Sequence, residues 1–150
     1  MEGQNLIKWF EKLRLTSYPD VGVWSIGYGS RSPVNYPYTI TRAKAEQLFR
    51  RDIVRLERWL NTIVLRENPK QYQFDAIASW TYNVGHGAAL SSTLIRKYNL
   101  GADPHTVADE FMNWVYTTDP RKKTKILSKG LLNRRKMEAT LFLDRRLVYF

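Results

Sequence analysis

The chain contains 150 residues, with 24 Lys and Arg against 14 Asp and Glu, which gives a formal net charge of +10. A chain of this length can bury a core without a metal ion or a disulfide bond, so we expect one domain over residues 1–150. Because the sequence has no cysteine, a disulfide framework, a zinc site with cysteine ligands and a thiol nucleophile are excluded. An aromatic content of 13% excludes a chain that is disordered throughout.

The N-terminal residues do not form the apolar core of a signal peptide, because Glu2, Lys8 and Glu11 distribute charges along them. Nowhere does the sequence run for about 18 apolar residues without a charge, the approximate minimum for crossing a bilayer. We therefore expect a soluble protein with neither a signal peptide nor a transmembrane segment.

The first quarter of the chain predicts a helix followed by a small sheet. Apolar residues between Leu6 and Leu13 recur at helical spacing after Asn5, a residue type that caps helices, which predicts a helix over residues 5–13. β-branched and aromatic residues interrupted by glycine and proline then predict a twisted antiparallel sheet over about residues 14–40. No other stretch is rich in strand-forming residues.

The remaining pattern is helical. Apolar residues keep a period of 3.6 from Thr41 to Ile63, which predicts one long helix. The stretch between Thr117 and Lys129 is polar and basic and has no clear period. Further helices are predicted after Asn68-Pro69 up to a break at Gly85–Gly87, from Ser91 to Tyr98, from Asp103-Pro104 to Val115, and from about Gly130.

Together these elements predict an α+β fold that is mainly α-helical and has two lobes. A small antiparallel sheet lobe, residues 14–40, is joined by the linking helix, residues 41–63, to a helical lobe. That helical lobe contains residues 64–150 and the N-terminal helix. A cleft between the lobes would be walled by both.

The positive charge is concentrated at the C-terminal end. Residues 1–120 hold 14 basic and 12 acidic residues, whereas residues 121–150 hold 10 and 2. Such a field favours polyanionic partners without choosing among them. The segment could bury a terminal helix through Leu131, Leu141 and Phe142 with its basic groups solvated. Alternatively, it could concentrate the protein on anionic envelope polymers and contact an outer membrane.

Two carboxylates near the N-terminus could form a catalytic pair. Glu11 ends the predicted first helix, and Asp20 follows Tyr18-Pro19 just before a glycine turn. Hydrolysis of a glycosidic bond needs one carboxyl to protonate the leaving oxygen and one carboxylate to activate water or stabilise the cationic sugar. The spacing alone does not exclude two surface acids, because a chain with 14 acidic residues contains many such pairs.

The surrounding sequence is more specific than the pair. The string from Phe10 to Gly29 reads FEKLRLTSYPDVGVWSIGYG. It resembles the phage-type lysozymes (endolysins) of glycoside hydrolase family 24, whose signature is Phe-Glu-x-x-Arg-Leu, then Tyr-x-Asp, then Trp-Thr-Ile-Gly-Tyr-Gly. Nearly the whole chain shares the resemblance. The further matches, in the family's order, are Thr39–Thr41, Gln71–Ala76, Tyr82–Gly85, Ser91–Leu94, Phe111-x-x-Trp114 and Gly130–Glu138.

The resemblance implies a muramidase that hydrolyses the β-1,4 bond between N-acetylmuramic acid and N-acetylglucosamine in bacterial peptidoglycan. It implies that Glu11 is the general acid and Asp20 the second carboxylate. Ser25 stands where the family usually has a threonine whose hydroxyl helps to place the attacking water. A serine hydroxyl offers the same donor and acceptors, but its χ1 angle is less restrained. The residues implied to bind substrate in the sugar cleft are Tyr82, Asn83 and Gly85.

The spacing of the site departs from the family at one point. Family members commonly have five residues between the aspartate and the threonine, but only four separate Asp20 from Ser25. Counting forward from Glu11 places the carboxylate at Asp20, whereas counting back from Ser25 places it at Pro19. We assign Asp20, which alone can do the chemistry, and expect the deletion in the turn. In addition, Ser30 stands where the family often has histidine.

Two groups of these residues also have structural interpretations. Asn83 could cap the end of a helix before the glycine break instead of binding sugar. Arg134, Arg135 and Glu138 could form an ion-pair cluster within the molecule.

No metal or organic cofactor is implied, and His86 and His105 are too few and too far apart for a metal site. The resemblance implies a monomer made in the host cytoplasm, which reaches the cell wall through a separate holin-type pore. A lytic transglycosylase, which would use one acidic residue and form an anhydro sugar, remains an alternative. So does a basic nucleic-acid-binding module, but it has no support beyond charge, so no nucleic acid partner is expected.

Overall fold

The computed structural model describes residues 2–65 and 69–144. Its elements in chain order are α1 (Glu2–Glu11), β1 (Arg14–Asp20), β2 (Val23–Gly27), β3 (Ser30–Arg31), α2 (Arg42–Trp59), a π-helical turn (Leu60–Val64), α3 (Gln71–Val84), α4 (His86–Leu90), α5 (Thr93–Asn99), α6 (Pro104–Glu110), a 3₁₀ turn (Phe111–Trp114), β4 (Tyr116–Thr118), β5 (Lys125–Leu127) and α7 (Lys129–Phe142). This order confirms the mainly helical α+β class. Among the described residues, no helix combines the length and apolar character needed to cross a membrane.

The first helix is shifted from its predicted bounds. It covers Glu2–Glu11, so Asn5 lies inside it and does not cap it. Glu2 in the first turn is a favourable partner for the positive end of the helix. The helix ends early because Lys12 has a positive φ of 57°, a left-handed conformation that stops helices.

Helix α1 packs directly against α3. A Cβ at Gly3 would lie 2.8 Å from the Cβ of Asp75, so only glycine permits this approach. The Gly3 amide also donates a buried hydrogen bond to Asp75 Oδ2 at 2.9 Å. The contact anchors the helix that carries Glu11 to the helix that carries Tyr82.

The three strands that follow form the predicted antiparallel sheet, in the order β1-β2-β3. Asp20 pairs directly with Val23, so only Val21 and Gly22 connect β1 to β2. Both have positive φ, +28° and +79°, which is the condition for a type I′ hairpin turn. The short interval between Asp20 and Ser25 therefore results in a two-residue turn.

We expect Val21→Asn to raise the free energy of unfolding by about 1 kcal/mol, because a β-branched residue at positive φ is strained. Val21 is fully exposed, so the substitution loses no burial. Asparagine before glycine is the residue that this turn prefers. Urea denaturation measures the gain. Val23→Asn, in the strand beside the turn, is the matched control, and an equal gain there would contradict the strain argument.

The linking helix forms as predicted. Thr41 Oγ1 accepts a hydrogen bond from the Lys44 amide at 3.1 Å and caps the start of α2. The π-helical turn at Leu60–Val64 continues the helix close to its predicted end. The residues that α2 buries recur at helical spacing: Ala45, Phe49, Ile53 and Leu56.

The predicted start of the next helix is wrong. Lys70 has extended backbone and is the residue before the first helical one, so α3 begins at Gln71. Pro69 therefore precedes the helix and does not occupy its first position, while Asn68 lies outside the described residues. At the other end, Gly85 has φ +90°, which ends α3 at Val84.

The later helices differ from the prediction at their boundaries. The break predicted over Gly85–Gly87 is confined to Gly85, because the unpredicted helix α4 starts at His86. Helix α5 begins at Thr93, two residues after its predicted start, and Ser92 caps it by accepting from the Ile95 amide. Helix α6 begins after Asp103 as predicted. Helix α7 begins at Lys129, one residue earlier than predicted.

A second sheet was missed. Strands β4 and β5 form an antiparallel hairpin in which Tyr116 pairs with Leu127, so the sheet at residues 14–40 is not the only one. All six strand residues are exposed, which removes the apolar alternation that predicts strands. Asp119 Oδ1 accepts from the amides of Arg121 (2.7 Å) and Lys122 (3.1 Å) and holds the turn.

The core has two parts. The larger part lies in the helical lobe and includes Trp80 and Phe111, both fully buried. The smaller part joins the sheet to α2 and α1 through Ile7, Tyr28 and Phe49. The two parts place the sheet, the linking helix and α3 around a common cleft.

Candidate active site

Glu11 is a partly buried carboxylate held at one oxygen. Its Oε1 accepts from Arg134 Nη1 at 2.6 Å, and its side chain is 20% exposed. A Cβ at Gly29 would lie 3.2 Å from the other oxygen, Oε2. Because Gly29 also has φ +83°, a left-handed conformation that favours glycine, a side chain at this position would be strained and would crowd the carboxylate.

Arg134 connects Glu11 to the interior of the helical lobe. Its Nε donates to Glu138 Oε1 and its Nη2 to the Ser79 carbonyl, both at 3.1 Å. Burial by itself lowers the pKa of Arg134, but the Glu138 and Glu11 carboxylates outweigh burial and raise that pKa above its ordinary value. Arg134 is therefore a fixed positive charge that holds one side of Glu11.

Glu138 is completely buried and serves two arginines. Its Oε2 accepts from Arg135 Nη1, and its Oε1 accepts from Ser79 Oγ at 2.7 Å as well as from Arg134. Burial is the main reason that the pKa of Arg135 is lowered. The contacts confirm the interpretation of Arg134, Arg135 and Glu138 as an internal ion-pair cluster.

Asp20 and Ser25 lie beside each other on the hairpin. Ser25 Oγ donates to Asp20 Oδ2 across a long 3.4 Å, and Ser25 is buried whereas Asp20 is exposed. Tyr18 pairs directly with Ser25, and the Arg14 guanidinium lies 3.7 Å from the Tyr18 ring centroid.

The charges of both carboxylates, Glu11 and Asp20, act on the Tyr18 side chain. Burial is the largest cause that raises the pKa of Tyr18, and the charges of Asp20 and Glu11 raise it further. Tyr18 and Asp20 therefore lie beside Ser25 on the hairpin, and the charge of Glu11 also acts on the Tyr18 phenol.

Tyr82 joins the two lobes. Its hydroxyl donates to the Tyr28 carbonyl at 2.7 Å, so α3 is tied to the sheet beside Gly29. Burial, followed by the charges of Asp52 and Glu11, raises the pKa of Tyr82 well above its ordinary range. Tyr82 is therefore a neutral hydrogen-bond donor in this position.

Asn83 does not cap its helix. The residue that ends α3 is Gly85, whose amide donates to the Thr81 carbonyl. The Asn83 Oδ1 accepts instead from Arg135 Nη2, so the capping interpretation is wrong.

Two recesses are lined by residues near the end of α3. One, of about 400 Å³, lies between β3, α2 and the start of α4, and Tyr82 and Gly85 line it. The other, of about 550 Å³, lies beside the β4–β5 hairpin, and Asn83 and Trp114 line it. Tyr82 and Gly85 therefore line one recess and Asn83 lines the other, so all three residues predicted to bind substrate line open space.

The two histidines and Ser30 have simple surroundings. The His86 ring packs edge-on against Trp59 with centroids 4.3 Å apart. In the part of the chain that the structure describes, no group of three or more possible ligands could hold a metal ion. Ser30 is buried at the start of β3.

The sequence profile of the phage lysozyme family matches residues 8–138. The chain belongs to the phage lysozyme family. It is 38% identical over 142 residues to the endolysin of Acyrthosiphon pisum secondary endosymbiont phage 1, covering 94% of each chain.

Solved structures agree with this assignment. The endolysin from Escherichia coli O157:H7 phage FAHEc1 is similar with a TM-score of 0.82 at 36% identity, covering 95% of this chain and 91% of that one. The muramidase domain of SpmX from Asticaccaulis excentricus is similar with a TM-score of 0.85 at 30% identity, covering 95% of both. The predicted family and lysozyme-like fold are confirmed, and the predicted class of function, a phage lysozyme of the endolysin type, is supported.

Two residues of this phage lysozyme were not placed at the site by the sequence. Arg134 was predicted in an ion-pair cluster but not as the partner of Glu11. Tyr18 was only part of a motif. The available signal for Arg134 was chemical, because a carboxylate inside a cleft commonly needs a cation. The sequence could not indicate which of 24 basic residues supplies it.

Proposed function

We propose that this phage lysozyme is a muramidase that hydrolyses the β-1,4 bond between N-acetylmuramic acid and N-acetylglucosamine in peptidoglycan. The observation that carries the proposal is the environment of the Glu11 carboxyl. This group is partly buried, and its Oε1 pairs with Arg134, whereas its Oε2 is not part of that ion pair. Such a group can deliver a proton from one defined oxygen to a leaving glycosidic oxygen.

The proposed roles follow from the contacts. Glu11 is the general acid and carries its proton on Oε2, because Oε1 accepts from Arg134. Asp20 and Ser25, joined by a hydrogen bond, place and activate the attacking water. Tyr82, Asn83 and Gly85 line the recesses in which sugars would lie.

A lytic transglycosylase acting on the same bond is the second candidate. It is favoured by one observation, the exposed position of Asp20 and its long 3.4 Å hydrogen bond with Ser25, which is a loose arrangement for holding water. A lytic transglycosylase would form an anhydro bond within N-acetylmuramic acid and would not add water. Because the family match accounts for residues 8–138, we do not propose nucleic-acid binding.

Digestion of purified peptidoglycan in heavy-oxygen water distinguishes the two activities. A muramidase places one heavy oxygen at the new reducing end of N-acetylmuramic acid. A transglycosylase gives an unlabelled anhydro product that is lighter by one water. Mass spectrometry of the released fragments identifies the bond and the product, and a reducing end on N-acetylglucosamine would contradict both candidates.

The place of action is proposed from the likeness to endolysins alone. We propose a monomer that is made in the host cytoplasm and reaches the cell wall through a separate holin-type pore. Cells that express the chain without a pore should lyse only after their inner membrane is permeabilised. Lysis without permeabilisation would contradict this route.

The basic residues between positions 121 and 144 lie in different environments, so they do not form one charged surface. Arg134 and Arg135 are buried in the ion-pair cluster, while Arg145 and Arg146 lie outside the described residues. Leu141 and Phe142 are buried as predicted for a packed terminal helix, whereas Leu131 is only partly buried. The charges of the β4–β5 hairpin, in contrast, are exposed. Its basic residues are Arg121, Lys122, Lys123 and Lys125.

We propose that the tip of this hairpin concentrates the enzyme on anionic envelope polymers. Neutralising it with Arg121→Gln, Lys122→Gln and Lys123→Gln should weaken binding to whole envelopes at low salt and flatten the decrease of binding with rising salt. Turnover of a short soluble muropeptide measures whether the catalytic site is intact. The matched control neutralises Arg50, Arg58 and Arg96, which are exposed on other helices. Equal losses in the two triple variants would show an effect of net charge only.

A further inference from the structure

The recess beside Gly29 contains two arginines that the proposed chemistry does not use. Arg31 lies on β3 and Arg55 on α2, and both line this 400 Å³ space together with Tyr82 and Gly85. The recess therefore has a positive group on the sheet side and another on the side of the linking helix.

Neither arginine is neutralised by the described part of the protein. Within residues 2–65 and 69–144, the ion pairs do not include Arg31 or Arg55. Among the described residues that line the recess, the only carboxylate is Asp52, and it pairs with Arg51 at 2.8 Å. Two guanidinium groups are thus available to an anion that enters the recess.

The recess lies next to the proposed acid. Gly29 lines it and is also the residue whose Cβ position is 3.2 Å from Glu11 Oε2. A substrate whose glycosidic bond is cut at Glu11 would place an adjoining part of itself in this space.

Substrate chemistry indicates which part carries a negative charge. The sugars of peptidoglycan are joined by neutral bonds and offer hydroxyl and amide groups, whereas the stem peptide on N-acetylmuramic acid carries free carboxylates. Arginine binds carboxylates through two parallel hydrogen bonds, which gives direction as well as attraction. Resting on the proposed function, we propose that Arg31 and Arg55 form a subsite for a carboxylate of the stem peptide.

The test compares two substrates. The double variant Arg31→Gln/Arg55→Gln is assayed on glycan strands with intact stem peptides and on the same strands after an amidase has removed the peptides. Because the double variant loses two exposed arginine–carboxylate pairs, the ratio of kcat/KM for peptide-bearing to peptide-free strands should fall about tenfold, which corresponds to about 1.4 kcal/mol. The matched control, Arg50→Gln/Arg58→Gln, makes the same change of charge outside the recess and should leave that ratio unchanged.

Three outcomes would overturn the subsite. The first is an unchanged ratio of kcat/KM. The second is an equal loss of kcat/KM on both substrates, which would indicate binding of the sugars, and the third is an equal fall of the ratio in the control variant, which would indicate an effect of net charge.

A binding assay separates this inference from the proposed function. In the Glu11→Gln background, sedimentation with peptidoglycan sacculi reports affinity without turnover. Even if the wild-type chain cuts neither substrate, the Arg31→Gln/Arg55→Gln change should still weaken sedimentation with peptide-bearing sacculi alone.

Discussion

Replacing Glu11 with glutamine should reduce the rate of peptidoglycan cleavage by about 10²–10⁴-fold or more, because glutamine cannot donate the proton that a general acid supplies. The side-chain oxygen of glutamine can still accept from Arg134, which also keeps its bond to Glu138. The free energy of unfolding should therefore change by less than about 1 kcal/mol. Release of reducing sugars from purified sacculi measures the rate, and urea denaturation measures the stability.

The control for this prediction is Glu2→Gln, which removes the same charge from the exposed first turn of the same helix. It should cleave at the wild-type rate. Wild-type activity in Glu11→Gln would remove Glu11 from the proposed mechanism. A large loss of stability in Glu11→Gln would show that its ion pair with Arg134 is mainly structural.

The largest effect on stability is expected at Glu138. Glu138→Gln keeps the size of the side chain but leaves the buried Arg134 and Arg135 without their shared carboxylate. Removing one partner of a buried ion pair costs about 3–5 kcal/mol, because the remaining charges lose their compensation in a medium that solvates them poorly. We expect a decrease of this size in the free energy of unfolding, measured by urea denaturation.

Asp109→Asn is the matched control, because Asp109 is exposed on α6. It should change the free energy of unfolding by no more than about 0.5 kcal/mol. A loss below about 1 kcal/mol in Glu138→Gln would mean that water or a rearranged hydrogen-bond network compensates both arginines. The cluster would then not stabilise the lobe that holds Glu11.

Local features were predictable where a few neighbouring residues contain the whole cause. The period of apolar residues along α2 lies within one stretch of chain, so the helix and its start near Thr41 could be predicted. Asp103 before Pro104 similarly predicted the start of α6. The β4–β5 hairpin was missed because its three-residue strands bury neither face, and no period therefore exists to detect.

The sequence by itself determined the residue types of the site and, through several ordered motifs, the family. It could not determine the partners of those residues. Glu11 and Arg134 are separated by 123 positions, and the Tyr82 hydroxyl and the Tyr28 carbonyl by 54. Hydrogen bonds between distant positions depend on how α1, α3, α7 and the sheet pack, and many packings satisfy the same local pattern. Only the tertiary structure therefore decided which arginine holds the proposed acid and which arginines face open space.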